Sequence, residues 1–404
     1  MPTTRTGELA SIDMDMSIAF LAQNLGGYLS EGRVDKRSSA YAKALTAFEL
    51  LCNLNFRDRE IALELISGDV LTSLYDMFPN VVSALFSWAS GDLIATRQYW
   101  VAHLKLVPSD IVVSFMLHML DFLHGHSDCY EQYLLDDARC GSPRLGGFYQ
   151  GVLAFSLCEQ GRYIEALPIA LEAHQKNAND VYSLHALVHA WHGVENHGAV
   201  VNHLQQVDAW RHNAGMNIHV SWHMAISLLQ SGRLEPSVTA YRAFRALSAG
   251  HDAEQDLDAV NYCIRLYCSQ LPGPDFSTEY ALLARNWAPS IYNSLSYFND
   301  LHAAIAFMLA GDRTLLRKLK KRPPIRVLDK DLQKVGSQLI SAISSFADGD
   351  YMACARELHS SQSQWYRIGG SRAQREILEI LLKFTLRFAD VSPAKTSKSE
   401  ATSS

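Results

Sequence analysis

The sequence predicts an all-α fold: an α-solenoid of antiparallel helix pairs, closed by a capping helix near the C-terminus. Three observations carry this. Runs of Val, Ile and Thr in strict alternation are almost missing, so there is little basis for a sheet. Apolar residues recur instead at helical spacing over long Ala/Leu-rich stretches such as 41–65. Glycines then punctuate those stretches at a repeating interval: Gly91 and Gly125 are 34 residues apart, and Gly161 and Gly232 are 71 apart, close to two repeats.

Taken in order, residues 1–15 read as a loose lead-in, and helical text begins at Met16 with MSIAFLAQNLGGYL. A single repeat domain is expected over 16–390. Gly91, Gly125, Gly161, Gly232, Gly311 and Gly349 each follow one apolar helix and precede another. A glycine in the left-handed conformation closes the first helix of a pair, and an aromatic or Leu shortly after it packs back. The middle turn of the 161–232 interval falls at 194–197, where no glycine stands. The local text repeats as well: EQGRYIEAL (159–167), QSGRLEPSV (230–238) and DGDYMACA (348–355). These units resemble tetratricopeptide repeats, which are helix–turn–helix units of 34 residues. The resemblance is good over 147–178 and 218–249, fair over 77–108, and weak over 111–140 and 181–214.

Further on, PGP at 272–274 predicts a loop, and LRKLKKRPPIRV (316–327) reads as a solvated basic helix end stopped by two prolines. Ser371 with Gln374 three residues later is a capping box that opens the last apolar helix. Residues 391–404, VSPAKTSKSEATSS, read as a disordered tail.

Composition narrows the function. A net charge of -6, with 36 Lys+Arg against 42 Asp+Glu, offers no overall basic footprint for nucleic acid. The seven cysteines form no CxxC and fall mostly in apolar helical text, which predicts reduced thiols and a cytoplasmic protein. No leader pattern and no membrane-length apolar run is seen, so neither secretion nor membrane spanning is expected.

Five histidines stand out. His185, His189 and His192 fall at i, i+4 and i+7, and His219 and His223 form a second i, i+4 pair with Trp222 beside them. Residues four apart share one helix face. Counted from Val181 as the first repeat position, the first three occupy positions that in tetratricopeptide repeats usually face the concave groove.

Several stretches together carry a family likeness: AFSLCEQGRYIEAL (154–167), Asp180 with HALVHAWH (185–192), HVSWHMAISLLQSGRLEPSVTAY (219–241), DLDAVNYCIRL (256–266), FNDLHAAIAF (298–307) and IGGSRAQRE (368–376). On these the chain resembles the tetratricopeptide repeat protein 38 family over most of its length. The resemblance implies the helical-repeat fold and marks His185, His189, His219, Trp222, His223, Asp300 and His302 as positions of the family pattern. One departure is notable: the family usually has an acidic residue where His192 stands.

Three chemistries suit such a set. The first is a protein, peptide or small-molecule partner gripped in a histidine-lined concave groove. Alternatively His185, His189, His219 and His223 serve as general acids and bases for a small-molecule enzyme, with Trp222 shaping the pocket. In the third, the same four hold a divalent transition metal such as zinc, iron, nickel or copper, with Asp300 or Glu159 completing the shell and His192 and His302 nearby. No HExxH, GxSxG, GxGxxG or GxxxxGK[ST] motif is present to point elsewhere.

Overall fold

The computed structural model describes residues 8–32, 39–68, 73–125, 143–247, 256–325 and 329–389. The expected disordered tail at 391–404, and Cys129 and Cys140, lie outside the described residues. Among the described residues there are 21 α-helices and no strand beyond one isolated bridge between Asn55 and Ser294. No helix among them is long and apolar enough to cross a membrane.

Local chemistry explains where the helices begin and end. All six predicted turn glycines have positive φ, from 70° at Gly311 to 86° at Gly91, a region that costs other L-residues energy. In three of these turns the next residue is an aspartate, Asp92, Asp312 or Asp350, whose carboxylate accepts from the first-turn N–H groups of the following helix. One turn thus ends one helix and starts another. At the interval without a glycine, Glu195 itself takes the left-handed conformation, with φ 59°. Gly26 and Gly27, by contrast, lie inside the short helix Leu25–Ser30.

Consecutive helices pack as pairs in an all-α, solenoid-like stack, for example Pro79–Ala89 with Leu93–Leu106 and Asn217–Gln230 with Leu234–Leu247. Residues 1–7 of the expected lead-in lie outside the described residues; beyond them Leu9 and Ala10 are buried, and the Leu9 N–H donates to Asp110 at 2.9 Å.

Segments far apart in sequence then close the stack across its middle. The Leu295 N–H donates to the Leu54 carbonyl at 2.8 Å, and the Gly215 N–H to the Gln23 carbonyl at 3.0 Å. Gly125 and Gly369 lie so close to the backbones of Tyr366 and Leu123 that neither has room for a Cβ. The last helix, Arg372–Ala389, does not simply cover the end of the array. It lies against Val181–Gly193 and Leu257–Ser269 as well as Tyr351–Ser361, and buries Ile377, Leu378 and Leu381 completely.

Candidate metal centre

Two helices carry the centre. The first, Val181–Gly193, is started by Asp180, whose carboxylate accepts from the N–H groups of Tyr182 and Ser183 at 3.0 and 3.2 Å. It packs tightly against its neighbours because Gly151 leaves room for Ser183 and Gly193 leaves room for Tyr163. The second, Asn217–Gln230, follows Asn213, whose side-chain oxygen accepts from the Met216 N–H at 2.9 Å.

Their facing surfaces bring His185, His189, His219 and His223 together, with one potential ligand nitrogen from each and all four within 4.8 Å of one another. The imidazole centroids of His185 and His189 are 4.4 Å apart, those of His189 and His223 4.6 Å, and those of His185 and His219 4.8 Å. Nε2 of His185 and Nε2 of His219 are 3.0 Å apart. Around a zinc ion with bonds of about 2.0–2.1 Å, tetrahedral nitrogens stand about 3.3–3.4 Å apart. The 4.8 Å limit on the four nitrogens exceeds that spacing by about 1.4 Å, and the 3.0 Å pair falls slightly inside it.

Aromatic walls hold the rings in place. Phe155 stacks on His185 at 5.1 Å and meets His189 edge-on at 4.9 Å, while Trp222 stacks on His219 at 5.1 Å. Trp222 is thus a fully buried wall of the site.

Electrostatics favour the form a metal needs. Burial drives His185, His189 and His223 well below the usual imidazole range, and the neighbouring imidazoles push in the same direction. Neutral rings keep lone pairs free. Nδ1 of His185, Nε2 of His189 and both ring nitrogens of His223 are buried without a hydrogen-bond partner. A buried unpaired nitrogen typically costs about 1–3 kcal/mol. A cation at the centre would relieve that cost only at the nitrogens it binds, which for His185 is Nε2 and not the unpaired Nδ1.

One carboxylate reaches the ring of ligands, and it is neither Asp300 nor Glu159. Asp258 Oδ2 accepts from Nδ1 of His219 at 2.7 Å, which leaves Nε2 of that ring directed inward. Such a carboxylate orients a ligating histidine and raises its basicity. Its other oxygen accepts from the Gln374 side chain at 3.2 Å. Gln374 is itself placed by the predicted capping box: the Ser371 N–H donates to its side chain at 3.0 Å, and its own N–H donates to Ser371 Oγ at 3.1 Å.

The other expected residues have different partners and lie outside the four-histidine cluster. Glu159 accepts from the Arg372 N–H at 3.0 Å and pairs with Arg375 at 3.4 Å, so it anchors the start of the last helix. Asp300 is gripped by both terminal nitrogens of Arg322. That arginine comes from the basic run, whose end is therefore partly structural. Nδ1 of His302 donates to the Phe298 carbonyl at 2.8 Å, beside Trp287. His192 meets Glu376 at 3.2 Å, and Glu376 also pairs with Arg265 at 2.7 Å.

No protein-family model and no solved structure matches this chain. The family resemblance therefore rests on the motifs quoted above. Asp258 and Gln374 both lie inside those motifs, yet neither spacing nor residue type linked them to His219.

Proposed function

We propose that this chain is a helical-repeat metalloprotein that binds one divalent transition metal through His185, His189, His219 and His223, and uses that ion as a centre for small-molecule chemistry. The reading takes the helix pairs as tetratricopeptide-like repeats and the last helix as their inward-turned cap. The turn glycines at positive φ support the first part.

The observation that carries the metal reading is the convergence of four nitrogens from two helices within 4.8 Å, beside unpaired imidazole nitrogens. An all-imidazole set suits zinc, copper, nickel or iron. An ion that prefers more than four ligands keeps positions open for an incoming molecule. Metal-free acid–base work is less well supported, since burial holds three of the rings far below neutral values and leaves them poor proton carriers near pH 7. A peptide groove is also less well supported, because His185, His189 and His223 are buried.

The test is elemental analysis of the purified protein, before and after reconstitution with each of these metals, beside His189→Ala and His223→Ala. One ion per chain in the wild type, lost in both variants while cooperative melting persists, is the expected result. A wild-type chain that takes up none of them stoichiometrically would overturn the reading.

A further inference from the structure

The charge around the centre indicates what its next ligand must be. Four neutral imidazoles bring no negative charge, so a divalent ion among them keeps both of its positive charges. Among the described residues, Asp258 is the carboxylate that bonds to this set, through His219, and so offsets one of them. The other acids of the neighbourhood are already committed. Glu159 is held by Arg375 and the Arg372 N–H, and Glu376 by Arg265 and His192. Asp300 is held by Arg322, and Asp180 is taken up by the helix start it caps. About one positive charge is left among Phe155, Trp222 and buried imidazoles, where screening is weak.

Access is one-sided. His185, His189 and His223 are 5%, 3% and 0% exposed, whereas the His219 side chain keeps 19% of its surface. An exogenous ligand therefore arrives at the edge formed by His219 and Asp258.

Resting on the metal reading above, we propose that the centre takes a small monoanion, a carboxylate in the first instance, as its exogenous ligand at the His219 edge, and that the charge of Asp258 sets how tightly the anion is held. The two effects of Asp258 oppose each other. Its charge strengthens the metal–histidine bond through His219 and repels an anion arriving beside it. Asp258→Asn should therefore weaken the hold on metal and tighten the hold on anion. A merely damaged site would weaken both.

The experiment uses the full chain loaded with cobalt(II), whose visible spectrum reports its ligands. Acetate is titrated in chloride-free buffer, with acetamide as its neutral counterpart of similar shape. Saturable spectral change with acetate and none with acetamide is expected, and at saturating cobalt Asp258→Asn should tighten acetate by about tenfold. Stoichiometric cobalt with acetate acting no more strongly than acetamide would overturn the anion proposal and leave the metal reading standing. Equal or weaker acetate binding by cobalt-loaded Asp258→Asn would overturn the role given to Asp258. Failure of the wild type to hold cobalt, zinc, copper, nickel or iron would overturn the metal reading itself. The wild-type comparison of acetate with acetamide decides the anion question even if the Asp258 variant does not fold.

Discussion

Nε2 of His185 and Nε2 of His219 stand 3.0 Å apart, although 34 residues of chain separate them. Asp258 accepts from Nδ1 of His219, so Nε2 is the atom that ring turns toward His185. A ligating His185 would present its Nε2 lone pair and carry its proton on Nδ1, a buried atom with no hydrogen-bond partner.

Because one carboxylate orients His219, metal affinity should depend on it. Asp258→Asn is expected to weaken metal binding by about 10–100-fold. Competition against a chromophoric chelator measures this, and wild-type affinity in the variant would remove Asp258 from the site.

Asp300 should matter for stability and leave metal content alone. Arg322→Ala strands a fully buried carboxylate, and breaking a buried pair in this way costs about 3–5 kcal/mol. Urea unfolding should show the loss, while elemental analysis of the folded variant still finds a full complement of metal. Lost metal in a stably folded variant would return Asp300 to the site.

Two buried histidines should each withdraw stability from the metal-free protein in acid, starting near pH 6.5. Burial lowers His118 to about 3 and His302 to about 4, so between those values and 6.5 the unfolded chain binds more protons at these sites than the folded one. Each ring's contribution therefore rises with pH across that window and falls by roughly 2 kcal/mol by about pH 5. Glu49 and Asp180, whose carboxyls burial raises to about 7, act in the opposite direction over the same range, so the test is made at one histidine. Urea unfolding of wild type and His118→Phe, compared at neutral pH and pH 5 in the presence of a chelator, should show a smaller acid loss in the variant. The same acid loss in both would contradict it.

Removing everything after Asp350, which takes Tyr351–Ser361 along with the last helix, should dismantle the centre as well as the core. Such a chain loses the Gln374 contact to Asp258 and the Glu376 contact to His192, and uncovers the apolar faces that Ile377, Leu378 and Leu381 pack against. Aggregation or loss of cooperative melting is expected. A truncated chain that melts like the full one, with its metal, would show that this C-terminal segment is dispensable.

What was legible in the sequence was local. Helical periodicity put His185 with His189 and His219 with His223 on single helix faces, and the turn glycines and the Ser371–Gln374 capping box each occupy the conformations their chemistry requires. The expectation that these two faces meet agrees with the convergence of the four nitrogens. Asp300 and Glu159 are carboxylates the sequence offers to the shell, yet each has an arginine partner supplied by another part of the chain.

By itself, then, the sequence determined an all-helical stack and four imidazoles presented in two matched pairs, because 3.6 residues per turn fixes which side chains share a face. Only the tertiary structure decided which carboxylate serves them, and that the space beside them is filled by the last helix. Those outcomes depend on contacts between Asn217–Gln230, Leu257–Ser269 and Arg372–Ala389, segments up to 116 residues apart at the Asp258–Gln374 contact. A buried charge takes whichever partner the packing of such distant helices brings within reach, and no local spacing encodes that choice.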